Sequence, residues 1–122
     1  MKKLILVALA AGAAVVAAGT SASAQVGWGG TLTPGSVACV GQHANTQVRG
    51  DGTATADGAK FFMYKNGVQI YTTGGRVSGW AKEFKANTYP PFPGADDYTV
   101  CAKNTGTQNT LVNFYILSDG EF

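Results

Sequence analysis

Lys60-Phe61-Phe62-Met63-Tyr64-Lys65-Asn66-Gly67-Val68-Gln69-Ile70-Tyr71-Thr72-Thr73 is the stretch that decides the fold class. Asn66-Gly67 supplies the two left-handed residues that a tight type I′ turn requires, set between two runs of apolar and β-branched residues. The segment therefore reads as a β-hairpin, and Gly74-Gly75 closes its second strand. No stretch beyond it competes as a helix with comparable force.

Working outward, Asp97–Asn104 and Leu111–Ser118 read as two further strands joined by the polar turn Thr105–Asn109. In the last run Val112, Phe114 and Ile116 share one face, and Leu111, Asn113, Tyr115 and Leu117 share the other. A wholly apolar face opposite a mixed one is the pattern of a strand covered fully on one side. Val37–Gln42 is another strand, and Gln25–Leu32 is a weaker one interrupted by Gly27, Gly29 and Gly30. Arg76–Ala86 fits both periods: Val77, Trp80, Ala81 and Phe84 have helical spacing, whereas Trp80, Lys82 and Phe84 alternate. Arg76-Val77-Ser78-Gly79 is a poor helix start, so the strand is preferred. Ala44–Ala59, with Gly50, Gly52 and Gly58, reads as a loop or an irregular hairpin. The expectation is one all-β domain of about seven antiparallel strands.

The chain begins with Lys2-Lys3, continues as the apolar run Leu4–Ala18, and reaches the small-residue site Ala22-Ser23-Ala24. This is the layout of a cleaved secretory signal peptide over 1–24, with residues 25–122 as the single mature domain. The apolar run falls short of the roughly 20 residues that span a bilayer. Lys2 and Lys3 account for the whole formal charge of +2. The mature part is then neutral, which excludes the cationic footprint of a nucleic-acid binder or a polybasic membrane patch. The simple leader and the lack of any Asn-x-Ser/Thr site after it point to a bacterial, extracellular or cell-surface protein.

Cys39 and Cys101 are the two cysteines. In an exported chain an even count favours a disulfide between them. The alternative, a pair of thiolate metal ligands, needs two more donors, and only His43 offers itself. A bridge here closes a loop of about 60 residues and stabilises by ~4 kcal/mol in the chain-entropy treatment.

Cys39, the 60–73 hairpin and Asp96-Asp97-Tyr98-Thr99-Val100-Cys101 before a final strand together resemble the immunoglobulin-like and fibronectin type III-like superfamily. The resemblance implies an antiparallel immunoglobulin-like β-sandwich with one disulfide. Tyr98, three residues before Cys101, lies on the other strand face.

The reactive residues do not assemble a catalytic set in the sequence. His43 is the single histidine, and neither Ser36 nor Ser78 has the spacing of a nucleophile elbow. Asp96, Asp97, Asp119 and Glu121 read as solvated carboxylates near strand ends. Asp51 and Asp57 could lend oxygens to Ca²⁺, yet the segment lacks the alternating donors of an EF-hand, and turn chemistry is the simpler reading. Arg49-Gly50-Asp51 spells an integrin-type tripeptide in a glycine-rich segment. No enzyme activity, metal or cofactor is expected.

The most individual stretch is Asn87-Thr88-Tyr89-Pro90-Pro91-Phe92-Pro93-Gly94. Its prolines stiffen the backbone toward polyproline II, so Tyr89, Pro90, Pro91 and Phe92 form a candidate recognition ledge. The competing reading folds both aromatics inward as a cap. Trp28, among glycines, either plugs the core or stands out as a platform. The expected function is a secreted, non-catalytic binding or adhesion module that recognises an extracellular protein or glycan. A secreted inhibitor of a hydrolase and a self-associating envelope component are the alternatives.

Overall fold

The computed structural model describes Ala24–Gly120 and Phe122. The expected leader lies outside the described residues except for Ala24. Eight strands follow in order: β1 (Ala24–Leu32), β2 (Val37–Ala44), β3 (Val48–Ala54), β4 (Lys60–Lys65), β5 (Val68–Thr72), β6 (Gly79–Phe84), β7 (Asp96–Lys103) and β8 (Thr110–Ser118). No helix occurs among the described residues. The 60–73 hairpin forms as the sequence indicates, with Asn66 and Gly67 both at positive φ (47° and 80°).

Two four-stranded antiparallel sheets result, one ordered β1-β8-β3-β6 and the other β2-β7-β4-β5. Pairing joins β1 to β8, β2 to β7, β3 to β6 and β4 to β5. The chain is thus one long antiparallel ribbon folded back at the 66–67 turn. Rolling that ribbon brings β8 beside β3 and β7 beside β4, which completes the sheets. This wrapping is the architecture of an eight-stranded jelly roll. It differs from the immunoglobulin order, in which the first two strands are neighbours in one sheet. Here β1 and β2 belong to opposite sheets.

The eighth strand, absent from the sequence expectation of seven, is β3. It occupies the middle of the segment read as a loop over 44–59. Its alternation is genuine but carried by small residues: Val48, Gly50, Gly52 and Ala54 are buried, while Arg49, Asp51 and Thr53 face out. Glycines are needed on the inner side because the Trp80 indole lies against them. A Cβ on Gly50 would sit 2.5 Å from a Trp80 ring carbon and 3.1 Å from Met63 Sδ. The Arg76–Ala86 segment resolves as a strand, β6, with Trp80 and Phe84 turned inward.

Between the sheets lie Phe61, Met63, Phe84, Tyr98, Phe114 and Ile116, all essentially inaccessible to water. Each such side chain contributes about 1.5–3 kcal/mol through removal of apolar surface, offset by the cost of ordering the chain. Val112, Phe114 and Ile116 form the inner row of β8, as its period-two pattern requires. The Phe61 ring centre stands 5.2 Å from that of Trp80, and Tyr71 stacks on the same indole at 5.7 Å. Cys39 and Cys101 are bonded (S–S 2.07 Å) and face each other directly in the β2–β7 ladder. The bridge therefore locks two neighbours of one sheet in register rather than tying sheet to sheet. An oxidised pair of this kind is consistent with an extracellular setting.

Candidate functional site

The β2–β3, β4–β5 and β6–β7 connections gather at one end of the sandwich, where β1 begins and β8 ends. The β6–β7 connection holds the candidate ledge. Thr88 organises its base: Oγ1 accepts the Lys85 N–H (2.9 Å) and lies 3.0 and 2.9 Å from the Lys85 and Pro90 carbonyl oxygens. The Phe92 N–H donates back to the Lys85 carbonyl at 2.9 Å. The chain consequently turns back on itself, and the Tyr89–Pro90 peptide is cis. The prolines therefore sit within a loop whose base is closed at Lys85.

The two aromatics of this loop part company. Phe92 turns in and stacks on Tyr98 (centroids 5.7 Å apart, planes 29°). Tyr98 is itself buried, and its hydroxyl donates to the Gly94 carbonyl at 2.6 Å. Burial, assisted by the nearby Asp96 charge, pushes the Tyr98 phenol up to about 12. Gly94 has φ +117°, a value only glycine adopts without strain, which lets its carbonyl meet that hydroxyl. Tyr89 is 96% exposed. The expectation of one fate for both residues thus gives way to a buried anchor and a displayed ring, with Pro90 and Pro91 between them. Trp28 turns inward, half-buried, with its ring 5.9 Å from Phe114. It is a core plug and not an outward platform.

Polar side chains at the same end are occupied in holding loops. Asp119 Oδ1 accepts the N–H groups of Asn45 (2.9 Å) and Thr46 (2.7 Å) and the Thr46 hydroxyl (2.9 Å). Burial alone would raise the Asp119 carboxyl, but these donors outweigh it and hold the group below its ordinary value. His43 Nδ1 lies 3.0 Å from Asp97 Oδ1 and Nε2 lies 3.0 Å from Asn45 Oδ1. The Asp97 hydrogen bond, with Asn45 assisting, raises the His43 pKa above 6.5. Ser36 precedes the far end of β2, roughly 20 Å away along an extended strand. Ser78 also lies at that far end, next to the start of β6. A Ser-His-Asp arrangement is therefore not built from these residues.

Arg49-Gly50-Asp51 lies in the middle of β3, not at a loop tip. Arg49 binds Asp51 and Glu83, each at 2.7 Å, on the outer face of the first sheet. The Tyr115 phenol is raised by burial and by the adjacent Asp51. Asp51 is thus spent within a strand network, apart from Asp57 in the turn before β4. Among the described residues no group of three His, Cys, Asp or Glu side chains is placed to hold a metal ion.

Sequence reading missed a second aromatic surface. Phe62 and Tyr64 alternate outward on β4 and stack at 6.3 Å, with Lys60 Nζ 5.3 Å from the Phe62 ring centre. The disulfide lies beside them, since Cys101 is opposite Phe62 in the ladder. Strand alternation alone could have exposed this face, because Phe61 and Met63 occupy the other one. No protein-family model matches the chain, and no curated protein matches it.

Proposed function

We propose that this protein is a small, non-catalytic recognition module that acts outside the cytoplasm and contacts an extracellular protein or glycan through Tyr89. The observation that carries this reading is the 96% exposure of Tyr89 on a loop whose base is fastened by Thr88 and by Phe92 on Tyr98. A displayed aromatic on an ordered loop loses little conformational entropy on binding and offers a large contact area. The leader-like sequence pattern over 1–24 and the Cys39–Cys101 disulfide support an extracellular site of action. Phe62 and Tyr64 supply a second apolar patch on the same scaffold.

Two single variants test the reading. Tyr89→Ala is expected to leave stability within about 0.5 kcal/mol of wild type, as surface changes do. Phe92→Ala is expected to cost ~2 kcal/mol, less than a fully buried phenylalanine because the ring is half-buried. In affinity capture from the native extracellular fluid, identified by mass spectrometry, Tyr89→Ala should lose the partners that wild type retains. Retention of every partner by Tyr89→Ala would remove this loop from the binding surface.

A further inference from the structure

The two flanks of the sandwich are unequally protected against pairing with another chain. An edge strand offers a row of free N–H and C=O groups, and proteins guard such edges with charge, bulges or short length. On one flank the edges are β5 and β6. β5 has five residues, and its ladder with β4 shifts register at Met63/Tyr64. β6 carries Lys82 on its core-facing side, with the ammonium 5.7 Å from the Tyr71 ring centre and 5.3 Å from that of Phe84. That is an inward-pointing charge at an edge.

The other flank has none of these devices. Its edges are β1, nine residues, and β2, eight residues, and neither contains Lys, Arg, Asp, Glu or Pro; the titratable side chain there, His43 near the end of β2, is paired with Asp97 of the neighbouring strand at 3.0 Å. Their ladders with β8 and β7 run without a register shift. Among the described residues neither strand has a hydrogen-bonded neighbour on its outer side; Gln42 Nε2 reaches across between the sheets to the Ala24 carbonyl at 2.8 Å and the Ile116 carbonyl at 3.4 Å. Core-side residues are left part-open here: Val26, opposite Ile116 in the ladder, is 37% exposed, and Trp28, Ala38 and Val40 are half-buried.

We propose that this flank is the interface between two copies of the chain. A two-fold axis perpendicular to the sheets sets β1 antiparallel to its copy and, by the same rotation, β2 antiparallel to its copy. Both open edges are satisfied at once, and the four-stranded sheets become continuous eight-stranded ones. A single extended peptide could pair with only one of the two edges, so a second copy fits better than a donated strand. Eight paired residues span about 27 Å and the sheets stand about 10 Å apart. With the outward side chains of both sheets included, the flank is roughly 27 Å by 20 Å per copy, so the pair removes on the order of 1,000 Å² from water, the threshold of a specific interface and the range of weak, reversible association.

Sedimentation velocity across micromolar to millimolar concentrations, with hydrogen exchange read by mass spectrometry, tests this proposal. The expected result is a monomer–dimer equilibrium, with β1 and β2 amides protected as concentration rises and β5 and β6 amides unchanged. Val26→Lys, which copies the guard that Lys82 provides opposite, should weaken the dimer by at least about 100-fold by burying an unpaired ammonium. If Val26→Lys fails to fold, concentration-dependent exchange of the wild-type protein decides alone. A monomer at every concentration, a dimer that Val26→Lys leaves intact, or protection that appears at β5 and β6 would each overturn the proposal. So would protection of β1 and β2 only when a different protein is added.

Discussion

His43 and Asp119 show how single side chains at the loop end act on stability. His43 is bonded to Asp97 and its pKa is raised above 6.5. Such a group contributes stability that is complete below the unfolded value and fades as pH rises through the folded value. A proton NMR titration should place the His43 midpoint above 6.5, and Asp97→Asn should bring it down. Asp119 works in the opposite sense. Its depressed pKa means that its contribution is present above the ordinary value of 3.8 and is lost as pH falls through the folded one. Asp119→Ala should therefore lower stability by about 1–3 kcal/mol at neutral pH, from charge-assisted bonds to the 45–47 turn. Urea unfolding should show that deficit shrinking in acid. Asp119 lies just past the end of β8, as a strand-end carboxylate should, whereas His43 belongs to β2 and stands opposite Asp97. Their partners lie 54 and about 70 positions away, so no local pattern could have named them.

At the level of elements, β3 is the instructive case. Helix and strand periods are read from apolar side chains, and β3 keeps its inner face with glycines instead. Those glycines exist because Trp80, arriving from β6, fills the space that side chains would take. A Cβ on Gly52 would meet Trp80 Nε1 at 2.8 Å, Phe114 Cβ at 2.9 Å and Phe61 Cε1 at 3.0 Å. Gly52→Ala is accordingly expected to destabilise by about 1–3 kcal/mol through overpacking, although alanine suits a strand better than glycine. Thr53→Ala, one residue on and facing water, serves as the control and should move the thermal midpoint little. The 60–73 hairpin lies at the other extreme. Its turn chemistry and both strands are contiguous, so it was fully legible.

For the whole molecule, the single covalent cross-link decides how much the unfolded chain is restrained. Cys39 and Cys101 are 62 positions apart. Closing a loop of that size stabilises by ~4 kcal/mol in the chain-entropy treatment. The Cys39→Ala/Cys101→Ala double variant should lose stability of that order in denaturant titrations while keeping a β-sheet circular dichroism spectrum. An unchanged midpoint would mean that β2–β7 pairing and the sandwich core alone set the fold. The rolled ribbon also explains why the two cysteines meet: β2 and β7 are successive partners along one long hairpin, so the bridge reinforces a register that backbone bonds already specify.

The all-β class, the hairpin at 60–73, the inner row of β8 and the Cys39–Cys101 pairing followed from the sequence, because each depends on neighbouring residues or on residue counts. The strand order, the existence of β3, the separation of Tyr89 from Phe92, and the bare flank along β1 and β2 came only with tertiary structure. These depend on which distant segments lie side by side, and the packing of Trp80 on glycine, or of Phe92 on Tyr98, leaves no periodic trace along the chain.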